Sequence, residues 1–151
     1  MSIVLALTLV LAADQQAAPP APPPGSPATF RSADELAAAL QQATDRGGMT
    51  SGAIGNTDQY RINLVRRVKP AAALAHAGNT EVHYITEGAG TLVTGGTIVR
   101  PVGGGMATIR NGETRRVVKG DVVVIPADTP HWYKDVEGSI TYLELRFVVP
   151  R

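Results

Sequence analysis

The chain has 151 residues with no cysteine, and its 14 basic side chains nearly balance its 13 acidic ones. This length fits one globular domain, and the lack of cysteine excludes a disulfide scaffold and thiolate metal sites. Since there is no large field of one sign, nucleic acid is not an expected partner. The 16 glycines and 11 prolines favour short strands joined by turns over long helices.

The amino terminus carries an uncharged apolar run over residues 3–13. This run has the length of a signal-peptide core and is too short to cross a bilayer. Small residues close it, and we expect cleavage near Ala12. We therefore predict that residues 1–13 are a signal peptide, that the protein is periplasmic or secreted, and that processing leaves no stable membrane span. If the run is not a functional signal, the protein is cytoplasmic.

A segment rich in proline and alanine follows over residues 14–29. Such a composition cannot bury a core, and its prolines favour extended polyproline geometry. We therefore interpret the segment as a linker or tether. Docking of its prolines on an aromatic groove is the alternative.

One short helix is predicted within residues 30–48. Ser32 and Glu35 have the spacing of a capping box, and a stripe of leucines follows on one face. Two glycines, at positions 47 and 48, give a stop signal. We expect a helix from about Ser32 to Arg46 that packs by its leucine stripe.

The remaining residues, 49–151, are predicted to form a β-domain. Their β-branched residues occur in short runs separated by Gly, Pro, Asn and Asp, which is typical of short strands. The predicted strands are 60–69, 82–86, 91–94, 97–102, 106–109, 114–118, 122–125 and 140–149. Eight strands without an intervening helix predict an all-β fold, either a closed barrel or a double-sheet jelly roll.

Several basic residues flank apolar strand positions. They are Arg66, Arg67, Lys69, Arg110, Arg115, Arg116 and Lys119. Solvated outer faces or protected strand edges explain such residues. The alternative is a rim that attracts an anionic substrate, and the sequence does not say which of these side chains meet at a barrel mouth.

The three histidines of the chain are His76, His83 and His131, and Glu81 lies between the first two. Strand side chains alternate in direction, so Glu81 and His83 should point the same way, roughly 6 to 7 Å apart. Imidazole nitrogens and a carboxylate oxygen are natural ligands for a divalent cation, and two histidines with one carboxylate leave positions open for water or substrate. The pattern indicates a metal site of the catalytic type rather than a closed structural site.

These residues resemble the two sequence motifs of the cupin superfamily. The first motif is a histidine, four residues, a glutamate, six residues and a glycine, and the second is a glycine, five residues, a proline, four residues and a histidine. The matching positions are His76, Glu81, Gly88, Gly120, Pro126 and His131. The resemblance covers about residues 60–149 and implies a cupin jelly-roll β-barrel whose metal ligands are His76, Glu81 and His131. That set resembles the two-histidine, one-carboxylate arrangement of non-haem iron enzymes.

The sequence departs from the family pattern at Leu74, where the first motif usually has another histidine, and at Asp128, which replaces a common glycine. His83 is a candidate for the missing metal ligand because it shares a strand face with Glu81. The alternatives for His83 are a hydrogen bond to a metal ligand or a contact with substrate, and an ordinary interior histidine. For the whole site, the alternative is a barrel that has lost its metal.

Aromatic residues surround these positions in sequence. Trp132 and Tyr133 directly follow His131, and because strand faces alternate we expect one of the two to pack in the core and the other to line the cavity mouth. Tyr84, next to His83, should face outward.

The resemblance implies a divalent transition metal such as Fe, Mn, Zn or Ni, a small-molecule ligand, and dioxygenase, isomerase or decarboxylase chemistry. If the protein is an enzyme, His83 is the catalytic candidate because imidazole titrates near neutral pH and can move a proton. A non-catalytic barrel that binds or senses a small molecule, with or without metal, is the alternative. Long exposed strands of this family commonly pair across a dimer interface, so we expect a homodimer.

Overall fold

The structure is a computed structural model and describes residues 17–148. The predicted signal peptide, the start of the predicted linker and the last three residues lie outside the described residues. One helix precedes eight strands: α1 (Ala33–Gln42), β1 (Met49–Asn56), β2 (Tyr60–Arg67), β3 (Asn79–Thr94), β4 (Thr97–Val99), β5 (Thr108–Arg110), β6 (Glu113–Val118), β7 (Val122–Ile125) and β8 (His131–Val148). No helix among residues 17–148 has the length and apolar character needed to cross a bilayer.

The strands form one large antiparallel sheet and one small one. The large sheet has the order β1-β2-β8-β3-β6, with β7 also paired to β3, and β4 pairs with β5 in the small sheet. The two longest strands, β3 and β8, have 16 and 18 residues. The first half of β3 pairs with β7 and its second half with β6, so the sheet folds over itself as a jelly-roll β-barrel.

Glycine makes the bend in β3 possible. The register between β3 and β8 shifts on both sides of Gly88, and Gly88 itself has φ +73°. A Cβ atom at this position would lie 1.9 Å from the carbonyl oxygen of Ser139 on β8. No other residue type fits there without moving the backbone of the neighbouring strand.

The hydrophobic core lies between the two halves of the folded sheet. Its buried members are Val65, Ile85, Leu92, Val117, Tyr133, Ile140 and Tyr142. They come from β2, β3, β6 and β8. The all-β prediction is therefore confirmed, and the same strands carry the candidate site.

Several predicted boundaries were wrong for identifiable reasons. β1 was not predicted, because a strand with the sequence MTSGAIGN has two glycines and few β-branched residues. The predicted strands 82–86 and 91–94 are one bent strand, β3, and β8 begins at His131 rather than at residue 140. Three other strands differ from their predicted bounds. β2 and β4 are shorter than the predicted strands 60–69 and 97–102, and β5 is shifted relative to the predicted strand 106–109.

The helix begins as predicted but ends early. Ser32 and Glu35 form both hydrogen bonds of the capping box. Ala43, however, takes an extended conformation with ψ 138°, so α1 stops at Gln42 and not near Arg46. The helix packs on the outer face of β1 and β2, since its Ala39 lies against Gly52.

The described part of the proline-rich segment is bound to the barrel at one point. Asp58, in the turn between β1 and β2, donates its backbone N–H to the carbonyl oxygen of Pro19 at 2.8 Å. Its side-chain oxygen accepts a hydrogen bond from the backbone N–H of Ala21 at 2.9 Å. These two contacts hold the segment beside the β1–β2 turn.

Candidate metal centre and cavity

The loops before β3 and β8 and the starts of these two strands bring the predicted metal ligands together. Glu81 lies near the start of β3, His76 lies in the loop before it, and His131 is the first residue of β8. Asp128 joins the two loops, because its backbone N–H donates to the carbonyl oxygen of His76 and its carboxylate accepts from the N–H of Gly78. Asp128 has φ +64°, which explains why glycine is common at this position of the motif.

The three residues converge on one oxygen atom. Oε1 of Glu81 lies 3.3 Å from Nε2 of His76 and 3.7 Å from Nε2 of His131. The three ligand atoms lie within 4.8 Å of one another, as donors to one metal ion must. Oε1 is buried and has no hydrogen bond within residues 17–148. A buried carboxylate oxygen without a partner is costly, and a divalent cation would satisfy it, so the residues present fit a metal.

The tautomer of His131 suits a metal ligand. Its Nδ1 lies 3.1 Å from the carbonyl oxygen of Thr129, which can only accept, so Nδ1 carries the hydrogen. Nε2 is then left with its lone pair directed toward Glu81. Burial lowers the pKa of His131, and it outweighs the opposing attraction of Glu81. The imidazole therefore stays neutral at neutral pH and is able to bind a cation.

His76, like His131, is neutral at neutral pH, whereas Glu81 is ionised. Burial lowers the pKa of His76 despite the carboxylate of Glu81. For Glu81, burial raises the pKa, but the hydrogen bond from His83, the charge of Arg146 and the electrostatic influence of the nearby His131 and His76 rings together lower it below its ordinary value. Two neutral imidazoles and one carboxylate are the protonation states that a divalent metal requires.

His83 lies in a second group that shares Glu81. Its Nε2 lies 3.2 Å from Oε2 of Glu81, and its Nδ1 lies 3.2 Å from the hydroxyl of Tyr133. Because the carboxylate oxygen only accepts, Nε2–H donates to it, and Nδ1 of a neutral ring accepts from Tyr133. Burial raises the pKa of Tyr133, so its hydroxyl keeps the proton that it donates.

The structure groups His83 with Glu81 and Glu144 rather than with His76 and His131. His83, Glu81 and Glu144 are all buried. Arg146 balances this group, with Nη2 at 3.3 Å from Glu144 and Nε at 3.6 Å from Oε1 of Glu81. Asn63 donates a hydrogen bond to Glu144 at 3.2 Å.

A cavity of about 530 Å³ opens beside these residues. His76, His83 and His131 line it, and so does Leu74, which is paired with His131 through two backbone hydrogen bonds. Leu74 therefore gives an apolar wall at the position where the family motif usually has a histidine. The remaining wall comes mainly from side chains of β1, β2 and β8, with further residues from the segments before β1 and after β2.

Both aromatic predictions agree with the structure. Tyr133 is buried in the core and Trp132 lines the cavity. Tyr84 faces outward and is 44% exposed.

Sequence reasoning missed the polar residues of β8. Tyr142, Glu144 and Arg146 all point into the cavity, and no spacing relation connects them with the histidines. Their alternation along one strand was the available signal, because residues two apart share a face. Alternation shows that the three residues share one face of the strand, but it does not show which cavity that face lines.

Comparisons with known proteins agree on the fold. No family model matches the sequence, and no curated protein matches it either. Among solved structures, KdgF from Halomonas sp. is similar with a TM-score of 0.53 and 18% identity, over 70% of this chain and 84% of that chain. A cupin superfamily protein from Desulfitobacterium hafniense is similar with a TM-score of 0.53 and 17% identity, over 81% of this chain and 97% of that one.

A third similar structure is Fe(II) HppE, with a TM-score of 0.53 and 13% identity, over 66% of this chain and only 50% of that chain. The chain therefore has the fold of the cupin superfamily, as the sequence motifs implied. Structural similarity at such low sequence identity establishes the fold alone, so the activity has to be inferred from the site.

Proposed function

We propose that the barrel holds one divalent transition metal between His76, Glu81 and His131 and presents it to a small molecule in the cavity. The buried Oε1 of Glu81 carries this proposal, because it has no hydrogen bond within residues 17–148 and faces two imidazole nitrogens. Imidazole and carboxylate are suitable ligands for Fe, Mn, Zn or Ni. The name of one structural neighbour, Fe(II) HppE, records iron in a barrel of this fold.

Three protein ligands leave coordination positions free for water or a ligand. A bound metal would supply a Lewis acid or an oxygen-binding centre. The cavity wall formed by His76, His131 and Leu74 places such a ligand against the site. The hydrogen bond from His131 to Thr129 fixes the imidazole before any metal arrives, which limits the cost of ordering the site.

His83 is the proposed proton-moving residue if the barrel is an enzyme. It lines the cavity, and it connects the Tyr133 hydroxyl to the Glu81 carboxylate through its two ring nitrogens. A proton arriving at Nδ1 requires the Tyr133 hydroxyl to turn away and release that nitrogen. Dioxygenase, isomerase and decarboxylase chemistry all suit a metal beside such a group.

A metal-binding barrel without catalysis is the second candidate. Both ring nitrogens of His83 are engaged by other protein groups, which suits a fixed structural hydrogen-bond network. In that case the cavity binds or senses its small molecule and releases it unchanged. Substitution of His83 then alters stability and leaves ligand binding intact.

Elemental analysis of protein purified without a histidine tag tests the metal proposal. We expect close to one equivalent of a transition metal in the wild type and in His83→Gln. His76→Ala and His131→Ala should lose it while keeping the far-ultraviolet circular dichroism of a folded β-protein. If reconstitution with Fe(II), Mn(II) and Zn(II) leaves the wild type empty, the metal site is rejected.

We also propose export and dimerisation. The apolar run over residues 3–13 supports export, and sequencing the amino terminus of protein secreted from cells would reveal cleavage near Ala12. For a homodimer, the support is an apolar outer face on β7 and β3, where Val122 and Val124 are each 61% exposed. Sedimentation of wild type and Val124→Lys should show a dimer that the substitution weakens, and a monomeric wild type would reject it.

A further inference from the structure

The charges around the cavity are unbalanced. Four arginines line it, on β2, on β8 and before β1: Arg46, Arg61, Arg67 and Arg146. The carboxylates of the site are Glu81 and Glu144, and both lie near Arg146. Positive charge therefore exceeds negative charge even without a metal, and a divalent cation at Glu81 would increase the excess.

Among these four, only Arg146 has a counter-ion in the described part of the chain. Within residues 17–148, the arginines in ion pairs are Arg115, Arg116 and Arg146. Arg115 pairs with Glu113 and Arg116 with Glu137 at the surface, away from the cavity. Arg46, Arg61 and Arg67 therefore face the cavity without a carboxylate of the described chain.

Arg67 is the best held of the three. Its Nε donates a hydrogen bond to the hydroxyl of Tyr142 at 2.9 Å. Its guanidinium carbon lies 5.6 Å from the ring centre of Tyr133, within the range of a cation–π contact. Arg46 and Arg61 are exposed, whereas Arg67 is half-buried.

The residues paired with Arg67 across the neighbouring strands offer no negative charge. Its cross-strand partners are Met49 on β1 and Ile140 on β8, and both are apolar. A half-buried guanidinium without a counter-ion is unfavourable, unless a bound anion supplies the missing charge. Because Nε is occupied by Tyr142, the terminal nitrogens remain to form two parallel hydrogen bonds with an oxyanion.

The packed rings of Tyr133, Tyr142 and His83 form an aromatic layer between Arg67 and the candidate metal centre. Tyr142 and Tyr133 both contact Arg67, and the ring centre of Tyr142 lies 4.5 Å from that of His83. His83 in turn is hydrogen-bonded to Glu81. A small molecule lying across this layer would reach Arg67 at one end and the metal ligands at the other.

We propose that the cavity takes a small organic anion and that Arg67 binds its carboxylate or phosphate group. This inference deepens the proposed function of the cavity and does not depend on the metal. Arg67 is the specificity-determining residue, because it selects for charge at the end of the ligand that lies away from Glu81. Of the seven basic residues that the sequence offered as a rim for an anion, only Arg67 lines this cavity.

Trp132, the only tryptophan of the chain, lines the cavity and reports binding by its fluorescence. The probes are succinate, benzoate and inorganic phosphate, with succinamide and benzamide as neutral counterparts. We expect at least one of the three anions to bind the wild type. If it is a carboxylate, its neutral amide should bind at least tenfold more weakly, and if it is phosphate, neither neutral amide should compete with it. The difference between carboxylates and phosphate identifies the preferred group.

The matched variants are Arg67→Gln, Arg67→Lys and Arg66→Gln. Arg66 is the adjacent residue on the opposite face of β2, and it lines the outer groove beside α1 instead. Arg67→Gln should weaken anion binding tenfold or more, Arg67→Lys should weaken it less, and Arg66→Gln should leave it unchanged. Arg67→Lys keeps the charge, so it remains informative if Arg67→Gln does not fold.

Each titration is made with metal-loaded protein and again in the presence of a chelator, with metal content measured on the same samples. Anion binding that survives metal removal supports the inference even where the metal proposal fails. One equivalent of metal together with no binding of any anion overturns the inference and leaves the metal proposal standing. Equal affinity of wild type and Arg67→Gln, or equal binding of charged and neutral probes, also overturns it.

Discussion

Nε2 of His83 lies 3.2 Å from Oε2 of Glu81, and the other oxygen of the same carboxylate has no hydrogen bond to any of the described residues, 17–148. Glu81 thus uses one oxygen for the interior network of the barrel and leaves the other toward His76 and His131. The two oxygens of Glu81 therefore have different roles, which the sequence alone did not distinguish. One group of residues holds the carboxylate in place, and the other is able to bind a cation.

Removal of the Tyr133 hydroxyl should destabilise the network without affecting the metal ligands. In Tyr133→Phe, Nδ1 of His83 loses its hydrogen-bond donor in a buried site, which costs about 1–3 kcal/mol. We expect the free energy of unfolding, measured with urea, to fall by that amount while the metal stoichiometry is unchanged. Tyr84→Phe, at an exposed position, is the control and should change neither quantity.

The bend of β3 should tolerate no side chain at Gly88. Gly88→Ala places a Cβ atom 1.9 Å from the carbonyl oxygen of Ser139, so the strands must move apart. We expect several kcal/mol of destabilisation, and loss of the folded protein at 37 °C. Gly95→Ala is the matched control, because Gly95 also has a positive φ but has open space around it, and it should cost only about 1–2 kcal/mol. Equal effects of the two substitutions would contradict the bend.

The stability of the metal-free protein should fall as the pH is lowered below about 6.5. The pKa values of His76 and His131 are lowered by burial in the folded state, so the unfolded chain binds protons first and acid favours unfolding. Glu81, whose folded pKa is also lowered, adds a further loss below its ordinary value of 4.5. Urea unfolding between pH 8 and pH 4 in a chelator measures this dependence.

The comparison variant for that experiment is His131→Gln. It removes one of the two imidazoles that must stay neutral, so its stability should depend less steeply on pH between 6.5 and 4.5 than that of the wild type. A wild-type stability that rises as the pH falls through this range would show that the histidines are charged in the folded state.

Loss of the N-cap should affect the helix alone. The hydroxyl of Ser32 accepts the backbone N–H of Glu35 at 3.2 Å, and replacing such a cap by alanine costs about 0.5–2 kcal/mol. We expect Ser32→Ala to lower the free energy of unfolding within this range. The metal content should stay at the wild-type value, since α1 packs on the outer face of the sheet. A change in metal content would indicate coupling that the contacts do not predict.

The sequence was sufficient for the fold class and for the grouping of His76, Glu81 and His131 as candidate metal ligands, because both depend on local pattern and on motif spacing. It was insufficient for β1, whose glycines and small residues are held as a strand by pairing with β2. It was also insufficient for Arg67, Glu144 and Arg146. Glu144 and Arg146 meet His83 and Glu81 through the pairing of β8 with β3, and Arg67 on β2 meets Tyr142 on β8. Strand alternation does not determine which strands become neighbours.

The most direct test is a crystal of the protein soaked in Mn(II) or Co(II), with the ion located by anomalous scattering. The account predicts one ion within about 2.0–2.3 Å of Nε2 of His76, Oε1 of Glu81 and Nε2 of His131. An ion held between Oε2 of Glu81, His83 and Glu144 instead, or no ion at either position, would contradict it.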